Sequence, residues 1–339
     1  MPGLDQPRGQ GLRQMRDPIL GQSHVKPWSL VTCHWRMEPR EVMSHYAFST
    51  RMRVAPRPIH RTLTCSKSEI KATISGHTIT VTLSTMLKSS FILLNGIGEA
   101  TERRFWDAGV RTWQDFLGLQ DLPGLSTGRK SLYDGELRAA AEAHEARDAR
   151  YFRAKLKARD HWRLYPTFKT GAVYLDIETT GASADVGEVT VVGLYGQEKM
   201  TTLIRGESLT ETRLNEELSR ASLLVTFFGS GFDLPFLKAK FPGLTLDQPH
   251  IDLCFAARRL KLTGGLKHIE AECGIERDTD LRGLDGWDAV RLWQAYRRGD
   301  ERARDLLVRY NEADVRNLEP LAELLVERLA RQAQVPWLS

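Results

Sequence analysis

The stretch AVYLDIETTGAS, residues 172–183, limits what this chain can be more than any other segment. Four apolar residues run into Asp176, Ile177 and Glu178, so a strand that reads as buried ends on two acids. Side chains in a strand alternate faces, which sends Asp176 and Glu178 to the same side, one pleat apart. Two carboxylates that close repel each other unless a cation lies between them. Either that face is open to water or a metal belongs on it.

The chain has 339 residues, enough for two or three domains and a sizeable core. Its longest mostly apolar run, near ASLLVTFF (221–228), is too short to span a bilayer. The first thirty residues lack the apolar core of a secretory signal. No membrane partner is therefore expected. Cys33, Cys65, Cys254 and Cys273 form no CxxC pair, which argues against a zinc ribbon or a disulfide framework and for a reducing cytoplasm.

The net charge of +5 is unevenly placed. Residues 1–85 hold twelve Lys/Arg against five Asp/Glu, whereas the remaining 254 residues hold 36 against 38. The basic character thus belongs to the first 85 residues and says nothing of nucleic-acid binding by the rest. Residues 1–85 show no sustained periodicity and are expected to be a largely disordered basic tail, with Met86 a possible true start. Within them KATISGHTITVTL (71–83) alternates as a hairpin turning at Ser75-Gly76.

Residues 86–160 read as a small helical region. FILLNGIGEATERRFWDAGVRTWQDFLGL (91–119) is an apolar run, a Gly-x-Gly turn and an amphipathic helix with Phe105 and Trp106 on its apolar side. The turn at Asn95–Gly98 resembles the hairpin of helix-hairpin-helix modules, in which backbone N–H groups hold a phosphate; Gly96 and Gly98 are the candidate contacts. A second turn, LPGLSTGRK (122–130), adds Arg129 and Lys130. One charged helix is expected over 131–160. Residues 170–332 read as a further domain. Strands are expected at 172–178, 189–195, 200–206 and 222–228, and a short strand or extended stretch at 250–255. Helices are expected at 209–220, after Pro235, and through 287–296 and 305–329. The fold class is α/β, a mixed sheet flanked by helices.

More acids occupy suggestive places. TFFGSGFDLPFL (226–237) breaks a buried strand at Gly229-Ser230-Gly231 and delivers Asp233 just before a helix, where α/β folds carry active-site groups. Taken alone, Asp233 would be a helix cap. In RYNEADV (309–315), Tyr310 and Asp314 lie four apart and share a helix face. Asp252, on the HIDL strand, is a reserve candidate.

The set DIETTG (176–181), FGSGFDLPFL (228–237) and YNEAD (310–314) resembles the three motifs of the DEDD superfamily, ribonuclease-H-like 3′-to-5′ exonucleases, and its Tyr-x-x-x-Asp resembles the tyrosine branch. From Met86 onward the chain is similar to YprB-type ribonuclease-H-like proteins, a likeness that includes NGIGEATERRFW, GGLKHIE (264–270) and GLDGWDAVRLW (283–293). Proofreading relatives often carry Asn where this chain has Phe228-Gly229. The resemblance implies hydrolysis of phosphodiester bonds with two divalent ions, Mg²⁺ or Mn²⁺. Asp176 would bridge both ions, Glu178 and Asp314 would complete the site of the attacking water, and Asp233 would hold the second ion through waters. Tyr310 would orient the nucleophilic water. The implied substrate is single-stranded DNA or RNA with a free 3′ end. Lys267 is a candidate phosphate contact and Phe232 a candidate base contact. A structure-selective endonuclease on the same fold, or a nucleic-acid-binding protein with an idle site, are the competing classes.

Overall fold

The computed structural model describes residues 86–336, together with the backbone of 63–66, 69–74 and 77–82. Those three segments are strands β1 (Leu63–Ser66), β2 (Glu69–Ile74) and β3 (His77–Thr82). They form an antiparallel sheet, and β2 pairs with β3 from Ile74 opposite His77, the register expected of a turn at 75–76. The expected disorder of the remainder of 1–85, and the possible start at Met86, lie outside the described residues.

The helical region comprises α1 (Glu99–Asp107), α2 (Trp113–Gly118), α3 (Thr127–Glu145), α4 (Ala149–Lys155) and α5 (Tyr165–Phe168). Among the described residues, the helical element before the Asn95–Gly98 turn is one 3-10 turn, Leu87–Ser89, whereas the 122–130 segment does join two helices. The single helix expected over 131–160 is in fact broken. Arg147 takes a left-handed φ of 55°, and Asp148 then caps α4 by accepting from Tyr151 N at 3.1 Å. The charge pattern was continuous, but the Asp cap competes for the backbone and starts a new helix.

The second part of the chain runs β4 (Ala172–Thr179), β5 (Val189–Gly196), β6 (Lys199–Ile204), α6 (Glu211–Ser219), β7 (Leu223–Thr226), α7 (Asp233–Lys240), β8 (His250–Asp252), α8 (Leu253–Arg259), α9 (Leu266–Glu272), α10 (Gly286–Arg297) and α11 (Glu301–Gln332). The five strands lie in the order β6-β5-β4-β7-β8. The first three form an antiparallel meander, and β7 and β8 add parallel to β4. The expected strand over 250–255 is half right. It stops at Asp252, whose side chain accepts from Cys254 N and starts α8.

Helices cover both faces. Leu175, Ile177, Val192 and Leu194 pack with Leu214 and Leu218 of α6 and Phe236 and Leu237 of α7. On the other side α11 runs across the sheet, with Val315, Leu318, Leu321 and Leu325 buried. The same apolar cluster holds Phe91, Phe105, Trp113, Phe116 and Phe152 of the helical region together with Tyr174, Leu223 and Val225 of the strands. Helical region and sheet therefore share one core.

An ion pair is sealed within that core. Arg163 Nη2 donates to Glu102 Oε2 at 2.9 Å, and both side chains are 1% exposed. Glu102 also accepts from Phe91 N at 2.6 Å, which anchors the start of the segment. Burial raises its carboxyl above the ordinary range, and the guanidinium and the backbone N–H groups offset only part of that. Arg163→Met leaves Glu102 buried without its counter-charge and is expected to cost about 3–5 kcal/mol of unfolding free energy. Removing both charges, with Glu102→Leu added, should recover much of that loss in urea denaturation.

Candidate active site

The parallel strands β4, β7 and β8 present their C-terminal ends along one edge of the sheet, and the expected acids gather there. Asp176 and Glu178 share the face of β4 that α11 covers. That close crossing depends on Gly193, which pairs with Asp176 across β4–β5. A Cβ on Gly193 would lie 2.2 Å from Asn311 Oδ1 and 2.6 Å from Val315 Cγ2, so any side chain there would lift α11 away.

On α11, Tyr310, Asn311 and Asp314 are all buried. One carboxylate oxygen each from Asp176, Glu178 and Asp314 lies within 4.8 Å of the other two. Asn311 Nδ2 donates to Asp176 Oδ2 at 3.0 Å and so fixes that carboxylate's orientation. Asp233 stands at the first position of α7, one residue past the N-cap Phe232. Its Oδ1 accepts from Ile177 N at 3.2 Å. Pairing of β4 with β7 extends only to Tyr174, which leaves that strand N–H free for the carboxylate. Asp233 is thus held against β4 beside the three-acid cluster rather than within it.

Burial and mutual repulsion govern the charge state. Desolvation raises the Asp176 carboxyl well above its ordinary range, reinforced by Asp233, Asp314 and Glu178 and opposed by Arg277. Glu178 is raised in the same way, by burial and then by Asp314, against the Asn311 hydrogen bond and Lys267. Burial pushes Asp233 up to about 7. Asp314 is raised by burial, with Arg277 and Lys267 opposing. Acids arranged this way bind protons more readily than ordinary carboxyls, and a cation placed among them would displace those protons. Every converging donor is a carboxylate oxygen, the ligand chemistry of hard divalent cations such as Mg²⁺ or Mn²⁺. The residues therefore fit the implied metal.

Three neighbours complete the site, and the sequence singled out only one of them. Lys267, at the start of α9, donates to Tyr310 Oη at 2.6 Å and to the Leu284 carbonyl, with its ammonium 4.1 Å from the Tyr310 ring centroid. It is spent on the tyrosine rather than left free for solvent. Arg277 bridges Asp314 and Glu270, both buried, with Nη2 to Glu270 Oε1 at 2.7 Å. Asn311 is the other. Neither Arg277 nor Asn311 carries a sequence signal beyond its residue type, since the first lies in an irregular loop and the second is one more polar residue in a helix.

The remaining candidates are placed elsewhere. Asp252 does not join the acids. Its two oxygens accept from Phe228 N at 2.8 Å, Cys254 N at 3.1 Å and Ser230 N at 3.1 Å, and also from the Ser230 hydroxyl, so the carboxylate is consumed in holding a loop. Phe232 is half-buried and packs on Phe236, with ring centroids 5.5 Å apart. Gly96 and Gly98 line a separate cavity of about 700 Å³ that also receives Lys155, Lys157 and Arg159. Gly96 has a φ of +83° and lies against Arg129, while Lys130 is buried and paired with Asp134 at 2.6 Å.

Residues 173–326 match the sequence model of the RNase_H superfamily. The domain is ribonuclease-H-like. Solved structures of similar shape include the family B DNA polymerase of Pyrobaculum calidifontis (15% identity over 48% of this chain and 25% of that one, TM-score 0.41). Others are Brucella melitensis NrnC with bound Mg²⁺ (23%, 50% and 81%, TM-score 0.36) and the Aedes aegypti Nibbler EXO domain (12%, 50% and 83%, TM-score 0.37). The chain spans a quarter of the polymerase's length. No curated protein matches it. No described helix is long and apolar enough to cross a membrane.

Proposed function

We propose that this protein is a metal-dependent 3′-to-5′ exonuclease of the DEDD tyrosine branch, similar to YprB-type proteins, acting on single-stranded DNA or RNA. The observation that carries this is the convergence of Asp176, Glu178 and Asp314 within 4.8 Å, one helical turn from a buried Tyr310. Asp176, Glu178 and Asp314 would hold one divalent ion, and Asp233, with Asp176, would hold a second. Bound there, Mg²⁺ or Mn²⁺ supplies Lewis acidity, making a water nucleophilic near neutral pH and offsetting charge on the phosphate.

The protein's own groups orient the reaction. Lys267 donates into the Tyr310 hydroxyl oxygen, which leaves the hydroxyl proton to point toward the acids and a water held among them. Arg277 keeps one Asp314 oxygen occupied and so fixes which oxygen faces the cluster. The turn at Gly96–Gly98, with Lys155 and Lys157 across its cavity, is a second phosphate contact. Cys254 and Cys273 are free thiols, in keeping with a cytoplasmic setting.

The test gives the full chain 5′-labelled single-stranded DNA and RNA with Mg²⁺ or Mn²⁺, and a covalently closed circle of each. The expected result is a ladder shortening from the 3′ end, absent in EDTA. Cleavage of the circle would identify an endonuclease instead. Binding without cleavage would identify a nucleic-acid-binding protein with an idle site.

A further inference from the structure

Among the described residues the exposed aromatic side chains are Phe228, Phe255 and Trp287. Two of them touch each other. Phe228 is 42% exposed and Phe255 46% exposed, with ring centroids 6.3 Å apart and an interplanar angle of 38°. Phe228 follows the end of β7, and Phe255 stands on the first turn of α8, directly after β8. Both therefore lie on the sheet edge that carries the acids. In the strand order β4-β7-β8, Phe228 follows the strand next to Asp176 and Phe255 the strand after that, a lateral offset of about 5 and about 10 Å.

The loop bearing Phe228 is built rather than loose. Phe228 has a left-handed φ of 62°, a conformation that bulky residues avoid. The four hydrogen bonds that Asp252 accepts from Phe228, Ser230 and Cys254 hold it there and tie the loop to the start of α8. The ring lies over Gly231, where a Cβ would come within 2.6 Å of Phe228 Cζ. Two aromatic faces are thus held by a hydrogen-bonded loop and turned to water, at a cost in backbone strain that a glycine at 228 would avoid.

Charge accompanies the rings. The Arg258 guanidinium lies 5.2 Å from the Phe255 ring centroid and makes no ion pair with a described residue. On the other side Phe255 borders a cavity of about 330 Å³ lined by Trp162, Arg159, Arg259, His250 and Ser230. Trp162 is buried and its Nε1 has no hydrogen-bond partner among the described residues. Flat apolar faces beside unpaired guanidinium suit one chemistry, an unpaired nucleobase with its phosphate.

We propose that Phe228 and Phe255 form a stacking platform for an unpaired base of the substrate strand, one or two nucleotides from the end held at the acids, with Arg258 contacting the adjoining phosphate. The proposal rests on the nuclease reading of the same edge and supplies its base-binding subsite. It takes any of the four bases, since every base offers a π face.

The test measures KM and kcat for 3′ shortening by the full chain and by its Phe228→Leu, Phe255→Leu, Phe255→Tyr and Arg258→Ala variants. Leucine keeps apolar bulk and helix or loop geometry while removing the flat face. Each substrate is used intact and with a single abasic position placed one or two nucleotides from the 3′ end. Either leucine variant should raise KM for the intact strand about 5- to 150-fold, the range of one lost base stack, with kcat little changed. Phe255→Tyr should restore it, and the abasic strand should bind leucine variants and wild type alike. An active wild type with leucine variants of unchanged KM overturns the platform alone. A KM loss equally large on the abasic strand also overturns it, because the rings would then act through the fold. A wild type that neither binds nor cuts any nucleic acid overturns both the platform and the nuclease reading beneath it.

Discussion

Asp176→Asn is expected to abolish cleavage, by about 10³-fold or more, while leaving the metal-free protein as stable as wild type or more so. The two effects come from one cause. Asp176 lies within reach of three other carboxylates, and burial and repulsion raise its carboxyl well above its ordinary range. An amide has nearly the same shape and its oxygen still accepts from Asn311 Nδ2, which now stands 3.0 Å from Asp176 Oδ2. The substitution removes repulsion without opening a cavity, worth on the order of 1–2 kcal/mol in favour of folding in EDTA. It also removes the charge that a divalent ion needs, so stabilisation by saturating Mg²⁺, about 3 kcal/mol at a hundred times the dissociation constant, should largely vanish. Cleavage assays and urea denaturation with and without Mg²⁺ read both effects on one preparation. An inactive variant that is also unfolded would assign Asp176 a structural role instead.

The second large effect is a pH dependence that the metal reverses. Asp233 ionises near 3.8 in an ordinary setting, and burial raises it to about 7 in the folded protein. Between those values the native state keeps a proton that the unfolded chain has lost. Folding then takes up a proton, so this group's contribution to stability is full below about 4, falls as pH rises toward 7 and is flat above. His250 runs the other way. Burial lowers it from 6.5 to about 4, so the unfolded chain binds its proton first and stability rises with pH over much of the same interval.

The wild-type curve alone therefore mixes opposed slopes, to which the raised Asp176, Glu178 and Asp314 add, and the difference between wild type and Asp233→Asn reads Asp233 together with its effect on Asp176. In EDTA the two should be equally stable at about pH 4 and diverge with rising pH, until the variant leads by a few kcal/mol above about pH 7. With Mg²⁺ the order should reverse at the alkaline end, because the ionised acid then has a cation beside it. Chemical denaturation across that range checks both. Parallel curves at every pH would mean that Asp233 is ionised in the folded state throughout. Ion-paired surface acids such as Asp247 and Glu207 do not blur the window. Arg150 and Arg304 hold their carboxyls below the ordinary range, so they act only at lower pH.

What the sequence determined by itself was the periodicity of side chains along each element. A period of two put Asp176 and Glu178 on one face of β4, and a period near four put Tyr310 and Asp314 on one face of α11; both are local geometry, and both hold. The alternation of strands and helices was equally legible, apart from the places where a single aspartate redirected the backbone. Asp148 broke one expected helix, and Asp252 turned an expected strand into a helix start. In each case a short side chain won a hydrogen-bond competition that periodicity does not register.

Only the tertiary structure decided which acids meet. Glu178 and Asp314 approach because α11 crosses the sheet at Gly193, and that crossing depends on the absence of one side chain opposite Asn311. The same crossing brought Asn311 onto Asp176, while α9 and the loop after it brought Lys267 onto Tyr310 and Arg277 onto Asp314. Asp252 was a reserve candidate beside Asp233 in the sequence. It was diverted because Phe228, Ser230 and Cys254 each offer it a donor, whereas Asp233 reached the Ile177 N–H that β7 left unpaired. Residue type and spacing specify what a side chain can do. The order of strands and the path of one helix specify what it does it to.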